Sequence, residues 1–319
     1  MTGPILTISI PTFNGSKTIA QALNSVFMQI HPSIESDVEI IISDNASTDD
    51  TKAVVDSLGS SKTEVIKYFK NSSNLGFDRN IALLFERASG KYVLTLADDD
   101  CLEKGALVEI ISFLRCNPNL DVYFIGGTAL TVKEKNLICK DGNEFFLNTA
   151  FRNGGVSSNI FKRETWNSIS VEKYFDSGWI HFAVLIKILE NGSSGISRSS
   201  YVKEIPQLEK KWGKNGQFII VGLKLAAILK NMNSSAYTRA VRRKSLDTIH
   251  DSNYFKKIIR AKSEGLFVDI SVLKIFILLF KSYPTFWILD LPALFLPVNA
   301  CRYIMRVRDW MLANHFISH

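Results

Sequence analysis

Four short apolar segments, Ile5 to Ile10, Val38 to Ser43, Val65 to Phe69 and Tyr92 to Leu96, are rich in strand-favouring residues and too short for typical helices. Helical spacing of apolar residues fills the intervals: Ala20, Leu23, Phe27 and Ile30 after the first, about Asp50 to Leu58 after the second, Phe77 to Ala88 after the third. Strands and helices alternating at this interval predict an α/β fold with a mainly parallel, doubly wound sheet and flanking helices. Ser16 or Asn14 is expected to cap the first helix, Gly90 to end the third, and a further helix to span Lys104 to Cys116. Ligands of such sheets sit beyond the carboxyl ends of the strands. The loops after the four runs are therefore where chemistry is to be sought.

Further on, Asp121 to Thr131 predicts another strand pair, Leu137 to Arg152 reads as an irregular excursion over the sheet, and Phe182 to Leu189 as a helix that Gly192 ends. Beyond about Tyr201 the pattern changes to helices interleaved with Lys and Arg. A chain of 319 residues suffices for one large α/β core plus a smaller C-terminal piece, and 46% apolar with 22% charged residues marks a folded protein. The net charge of +7 suits nucleic acid, an anionic membrane surface or a phosphate-bearing small substrate. The excess lies in Lys203 to Lys214 and Arg239 to Lys262, and no recognisable nucleic-acid motif interleaves it with aromatics. Cys101, Cys116, Cys139 and Cys301 form no close pair and no zinc spacing, which predicts a reduced, cytoplasmic setting. Met1 to Pro4 lacks a basic n-region, so secretion is not expected.

The fourth run ends in Asp98-Asp99-Asp100. Adjacent carboxylates repel one another, and an all-oxygen ligand set suits Mg²⁺ or Mn²⁺ bridging one or two carboxylates to a diphosphate. The plainer explanation is a solvated acidic loop ahead of the helix near Lys104. Three other loops bear on the choice: Pro11-Thr12-Phe13-Asn14, Asp44-Asn45-Ala46-Ser47-Thr48-Asp49-Asp50-Thr51 and Asn74-Leu75-Gly76-Phe77-Asp78-Arg79-Asn80. In this order and spacing the four resemble the family 2 glycosyltransferases of the GT-A fold over about residues 5 to 115, with Asp98 to Asp100 as the DXD motif. The overall layout resembles the abequosyltransferase-like members, which build bacterial O-antigen.

The resemblance implies a metal-dependent transfer of a hexosyl or deoxyhexosyl group from a nucleotide-sugar donor to a glycan or lipid-linked saccharide. It implies a Rossmann-like GT-A domain over residues 1–200, with 1–115 as the nucleotide-sugar half and 116–200 as the acceptor half. A basic, helical region, 201–319, follows. Pro11, Thr12 and Asn14 would line the nucleotide pocket, and Asp44 would bond base or ribose, although a turn role for Asp44 is the local alternative. Ser47 to Thr51 read better as turn and cap residues. Asn74, Gly76, Arg79 and Asn80 would meet an anion at a helix start, while Arg79 is equally suited to pairing with Asp78 or Asp98. Asp98 and Asp99 would contact the donor, and Asp98 with Asp100 would hold Mg²⁺ or Mn²⁺. Lys210, Lys211 and Lys214, in a loop with Gly213 and Gly216, would either assist the leaving diphosphate or simply be solvated.

The family's usual Glu-Asp pair for the catalytic base is missing. In its place stands Tyr174-Phe175-Asp176-Ser177-Gly178-Trp179-Ile180-His181, with Asp176 the first candidate base and His181 the alternative. Gly154 to Asn159 would shape the acceptor side or form a plain turn, and Trp179 would stack on a sugar or pack in the core. Leu266 to Leu279 and Tyr283 to Val298 are apolar, yet Pro284, Pro292 and Pro297 interrupt the second, and Lys274, Lys281, Arg302, Arg306 and Arg308 flank or break them. Docking on the cytoplasmic face of the membrane is expected, with a buried helical subdomain as the alternative. A nucleotidyltransferase would need a Gly-rich basic loop after the first strand, which Pro11 to Ser16 lacks; a non-catalytic sugar-nucleotide-binding protein would have no need of the triplet.

Overall fold

Leu6, Ile8 and Ile10 are wholly buried along the first strand, and the alternating Thr7 and Ser9 are buried as well, so this strand is covered on both faces. The four apolar runs become β1 (Leu6–Thr12), β2 (Val38–Asp44), β3 (Ile66–Lys70) and β4 (Tyr92–Thr95). Their connections carry helices α1 (Ile19–Phe27), α2 (Thr51–Gly59) and α3 (Phe77–Arg87). In the order β3-β2-β1-β4 every pairing is parallel. This computed structural model describes residues 3–59, 66–127, 136–197, 199–205, 218–251 and 253–315. The chain divides into two compact units, Met1–Leu208 with Asn233–Thr238, and Glu209–Met232 with Arg239–His319.

In the first unit the chain continues through β5 (Asp100–Leu102), α4 (Ala106–Cys116), β6 (Val122–Phe124), β7 (Asn136–Cys139), α5 (Gly142–Thr149), β8 (Asn159–Lys162), α6 (Arg163–Asn167), α7 (Ile180–Ile188), β9 (Ser194–Ser197) and β10 (Val202–Glu204). Among the described residues the main sheet has eight strands in the order β3-β2-β1-β4-β8-β6-β9-β7. It is parallel on the β3 side, whereas β8 runs antiparallel to both β4 and β6, and β7 antiparallel to β9. A separate ribbon pairs β10 with β5. Ile8, Ile10, Ile40 and Ile42 pack with Leu23 and Val26 of α1 and with Leu107, Ile110 and Ile111 of α4 in one cluster. Each such side chain contributes about 1.5–3 kcal/mol over leaving it in water. Helix α3 packs against β1 and β2, and its Phe85 stacks on Trp166 at 3.7 Å between ring centres.

Three local expectations are corrected. Thr18, not Ser16 or Asn14, precedes α1, because Asn14 and Ser16 are bonded to the loop after β2. Gly90 is not the cap of α3, which ends at Arg87; a side chain at Gly90 would meet the Thr7 backbone nitrogen at 2.6 Å, so close approach to β1 demands the glycine. Leu137 to Arg152 is regular: β7 edges the sheet, and Asp141 caps α5 by accepting from the Glu144 backbone N–H while Glu144 accepts from Lys140 N. Of the strand pair expected in Asp121 to Thr131, β6 is present, and residues 128–131 lie outside the described residues.

The second unit is helical: a π-helical turn (Phe218–Lys224), α8 (Leu225–Lys230), α9 (Arg239–Asp247), α10 (Tyr254–Ser263), α11 (Ile270–Phe280), a second π-helical turn (Phe286–Asp290), α12 (Leu291–Phe295) and α13 (Val298–His315). Tyr254, Phe276, Phe280 and Phe286 are buried in its interior. There His250 Nε2 lies 2.6 Å from Asp290, and the buried Lys262 donates to the Leu294 carbonyl at 2.5 Å.

Glu39 pins the sheet at the end remote from the loops. Its buried carboxylate accepts from Thr7 Oγ1 at 2.5 Å, Lys67 Nζ at 2.6 Å, and Ser89 N and Oγ at 2.8 Å each. Burial alone would raise this carboxyl, but the bonds from Lys67, Thr7 and Ser89 outweigh it and bring it down from 4.5 to about 2. A depressed carboxyl stabilises the fold above its unfolded value and loses that contribution as pH falls through the folded one. Glu39→Gln is therefore expected to cost about 2 kcal/mol at neutral pH, read by urea unfolding. The deficit should vanish as pH falls from 4.5 toward 2.

Candidate functional site

The loops after β1 and β2 are tied to each other. Pro11 and Thr12 end β1, opposite Ser43 and Asp44. Asn14, at φ +54°, donates its backbone N–H to Ser47 Oγ at 2.9 Å and accepts from Thr48 N at 2.9 Å. Gly15 N donates to Thr51 Oγ1 and Ser16 N to Asp49. Burial would raise the Asp49 carboxyl, but bonds from Ser16 and Thr51 bring it down to about 2. Ser47 to Thr51 thus hold the turn and the start of α2.

Asp44 is 0% exposed. Its Oδ1 accepts from Ser47 N at 2.7 Å and its Oδ2 from the Tyr68 hydroxyl at 2.5 Å, with Lys70 Nζ at 3.9 Å. Burial and the Asp44 carboxylate together push the Tyr68 phenol well up, so Tyr68 stays a donor. Asn45, which the sequence reading passed over, ties this loop to the one after β3. Its amide donates to Asn74 Oδ1 at 2.8 Å, and its Oδ1 accepts from Leu75 N at 2.9 Å and Asn71 Nδ2 at 3.1 Å. Asn74 also accepts from Gly76 N, and Asn80 is buried, bonded to Ser43 and Asn71. Asn74 and Asn80 therefore shape the loop ahead of α3.

The acidic triplet leaves the carboxyl end of β4. Asp98 is buried and its Oδ2 accepts from Thr12 Oγ1 at 2.6 Å. A side chain at Gly15 would sit 2.3 Å from both partners of this bond, so only glycine lets the β1 loop close over Asp98. The Asp99 carbonyl accepts from Ile205 N, and Asp100 opens β5 opposite Glu204 of β10. Ser157 bridges the triplet: its hydroxyl accepts from Ala97 N at 2.9 Å and donates to Asp100 Oδ2 at 2.5 Å. Burial pushes the Asp100 carboxyl up to about 6; the Ser157 bond opposes this, and the charges of Asp99, Glu204 and Asp98 add to it. Among the described residues no three His, Cys, Asp or Glu side chains converge as a ready-made cage.

The segment from Tyr174 to His181 is gripped by the start of α3. Buried Asp78 accepts from Gly178 N at 2.8 Å and Ile180 N at 3.2 Å, serving as cap to α7 from another helix. Its neighbour Arg79 makes a two-pronged contact with Asp176, at 2.7 and 3.3 Å, and lies 4.7 Å over the Phe175 ring. Arg79 therefore pairs with Asp176 across the domain rather than with Asp78 or Asp98. Asp176 adopts φ +65°, and its side chain is 76% exposed. His181 is only 4% exposed, between Phe77 and Trp179. Its Nε2 donates to the Gly154 carbonyl at 2.9 Å, which leaves Nδ1 as an acceptor with no hydrogen-bond partner among the described residues. Burial lowers its pKa and keeps it neutral.

Residues 7–159 match the family model described as Glycosyl transferase family 2. The chain carries a family 2 glycosyltransferase domain. It is 29% identical over 206 residues to abequosyltransferase RfbV of Salmonella typhimurium, covering 58% of this chain and 61% of the relative. It is 38% identical over 135 residues to the GalNAc(5)-diNAcBac-PP-undecaprenol beta-1,3-glucosyltransferase of Campylobacter jejuni, covering 42% and 41%. Each match spans less than two thirds of the relative's length. Among solved structures, Staphylococcus aureus TarS in complex with UDP-GlcNAc matches with a TM-score of 0.61 at 16% identity, over 87% of this chain and 82% of that one. Mannosyltransferase PcManGT of Pyrobaculum calidifontis, with GDP-Man and Mn²⁺, matches at 0.59 and 16%, over 92% and 85%. The fold is GT-A, with a helical C-terminal region.

In this glycosyltransferase domain the sequence named most of the loop residues but missed those that hold them. Asn45, Asp78, Ser157 and Glu204 act on partners up to about a hundred positions away, as with Asp78 and Ile180. Only Gly15, a glycine directly behind a strand-end turn, carried a local signal. Lys210, Lys211, Lys214, Gly213 and Gly216 lie outside the described residues. Asp100, with its raised carboxyl, yields a prediction. A carboxyl raised in the fold destabilises it increasingly as pH climbs from the unfolded value of 3.8 to the folded value of about 6, and by a constant amount above. Metal-free Asp100→Asn should therefore unfold later than the parent at neutral pH, by on the order of 1 kcal/mol. The gain should disappear below about pH 4 in denaturation experiments.

Proposed function

We propose that this protein transfers a hexosyl or deoxyhexosyl group from a nucleotide-diphospho-sugar to a glycan or lipid-linked saccharide during assembly of a bacterial surface polysaccharide such as an O-antigen, working at the inner face of the cell membrane. The observation that carries the reading is the acidic triplet at the carboxyl end of β4, beside the ends of β1 and β2, where an open α/β sheet receives its ligand. Both curated relatives described above are sugar transferases by name. The main alternatives, a nucleotidyltransferase or a non-catalytic sugar-nucleotide binder, gain no observation of their own.

Pro11, Thr12 and Asn14 border the nucleotide, with Asp98 and Asp99 toward the donor sugar. Asp44 acts on the base side, by direct contact or by holding the turn through Ser47. The Asp98 and Asp100 carboxylates suit a hard divalent cation, because Asp100 is a half-buried oxygen donor with further carboxylates beside it. Lacking a third protein carboxylate in a common cage, the ion would share diphosphate and water oxygens, as Mg²⁺ and Mn²⁺ commonly do. When bound, it neutralises charge on the departing nucleoside diphosphate. Arg79 and the N–H groups at the start of α3 add positive potential on the same side.

Asp176 is the base in this reading, since its exposed carboxylate can reach an acceptor hydroxyl. Arg79 holds it in place through the two-pronged contact. His181 is the alternative: its neutral ring and unpartnered Nδ1 suit a base, although its burial demands that the acceptor enter beneath Trp179. Asp176→Asn is expected to lower turnover by about a hundredfold or more while leaving donor binding intact, and His181→Ala to do less. Full activity in both variants would remove the segment from the mechanism.

The direct test is thermal stabilisation by UDP-, GDP-, CDP- and dTDP-sugars with Mn²⁺. One donor should raise the melting temperature in a metal-dependent way. The shift should be lost in Asp98→Asn and in Gly15→Ala, whose new methyl meets the Thr12–Asp98 bond. No shift with any donor would contradict the reading.

A further inference from the structure

Large apolar side chains lie open to solvent along one stretch of the second unit. Of the eighteen exposed large hydrophobic residues among those described, twelve fall between Phe267 and Met311. They form helix faces. On α11, Ile270, Lys274 and Leu278 are exposed at helical spacing, with Lys281 just past its end, while Phe276, Leu279 and Phe280 are buried opposite. Ile288, Pro292 and Phe295 repeat the stripe across the π-helical turn and α12, above buried Asp290, Ala293 and Leu294. On α13, Tyr303, Arg306 and Trp310 continue it.

The charge on this stretch is net positive. Between Phe267 and Met311 the basic residues are Lys274, Lys281, Arg302, Arg306 and Arg308, all exposed; of the acids, Asp269 caps α11, Asp309 pairs with Arg308, and Asp290 is buried against His250 at 2.6 Å. Two such faces from two copies of the chain would repel, whereas an anionic bilayer attracts them. Trp287, Trp310 and Tyr303, each about half exposed or more, have the mixed apolar and polar character that seats at a lipid interface. Spanning is disfavoured. No single described helix is long and apolar enough to cross a membrane, and the pair Phe286–Phe295 and Val298–Met311, adequate only together, is bent by 109°. The second arm also carries Arg302, Arg306 and Arg308, which are costly at a bilayer centre.

The geometry points to an in-plane membrane anchor: residues 267–311 dock on a bilayer of anionic phospholipid, Ile288, Phe295 and Trp310 entering the acyl boundary and Lys274, Lys281, Arg302 and Arg306 meeting the phosphates. This names the lipid partner and the residues that meet it, and it holds independently of which sugar is transferred. The two arms of the bent pair lie along the surface, as amphipathic helices do.

Co-sedimentation of the full chain with phosphatidylcholine vesicles, with and without phosphatidylglycerol, tests it in the absence of any sugar nucleotide. Binding should require phosphatidylglycerol and weaken in high salt. Paired Arg302→Glu and Arg306→Glu should reduce binding by about tenfold or more, and paired Ile288→Ser and Phe295→Ser should reduce it with the melting temperature unchanged. In the unaltered chain, lipids brominated near the headgroup should quench tryptophan fluorescence, which keeps the test decisive if a variant misfolds. A chain that stays in the supernatant with both vesicles overturns the proposal. So does equal binding to neutral lipid, or a vesicle-indifferent dimer that the Ile288 and Phe295 changes dissolve.

Discussion

Three consecutive carboxylates at the end of a buried strand repel one another, and two hydroxyl groups hold them in place. Thr12, the last residue of β1, donates to Asp98, and Ser157, just ahead of β8, donates to Asp100 while accepting from the backbone of Ala97. β1 and β8 are the two strands that flank β4 in the sheet. The triplet is therefore braced from both neighbours of the strand that delivers it, and Gly15 must lack a side chain for the first brace to close. Pairing of Asp100 with Glu204 adds a fourth acid to the group. Burial raises the Asp100 carboxyl, the neighbouring acids add to the rise, and a bound cation would oppose it.

A second constraint joins the two halves of the domain. Asp78 and Arg79 are consecutive residues at the start of α3, directly behind the Asn74–Gly76 turn, and both reach the segment 176–180. One carboxylate caps α7; the next side chain clamps Asp176 in a left-handed conformation that a non-glycine residue rarely adopts. The turn before α3 and the segment with Asp176 are thus tied through two consecutive side chains. Buried Asp78 supplies the rigid part of this coupling and exposed Arg79 the part that an anion can compete for.

The parallel half of the sheet was legible because its strands are continuous apolar runs punctuated by turn chemistry, and the four loops that carry the resemblance do follow the carboxyl ends of β1 to β4. Legibility failed where partners are remote or where a glycine admits two explanations. Nothing near Ser157 announces Asp100, and nothing near Asp78 announces Gly178. Gly90 looked like a helix end, yet it answers to Thr7 across the sheet. The region from Leu137 to Arg152 was misread although Asp141 and Glu144 held a local capping signal, because its apolar period is interrupted by Asn143 and Asn148. Arg79 was expected either to meet an anion or to pair with Asp78 or Asp98, and its partner Asp176, ninety-seven positions away, leaves no signal in local spacing.

The central claim is that the triplet, braced by Thr12 and Ser157, receives a divalent cation shared with a nucleoside diphosphate. An anomalous difference map from a crystal of the protein grown with Mn²⁺ and a nucleoside diphosphate tests this most directly. The account predicts one peak bonded to the Asp100 carboxylate and a diphosphate oxygen, with the nucleoside over the ends of β1 and β2. A nucleotide bound elsewhere, or a peak at the diphosphate with no carboxylate of the triplet beside it, would contradict it.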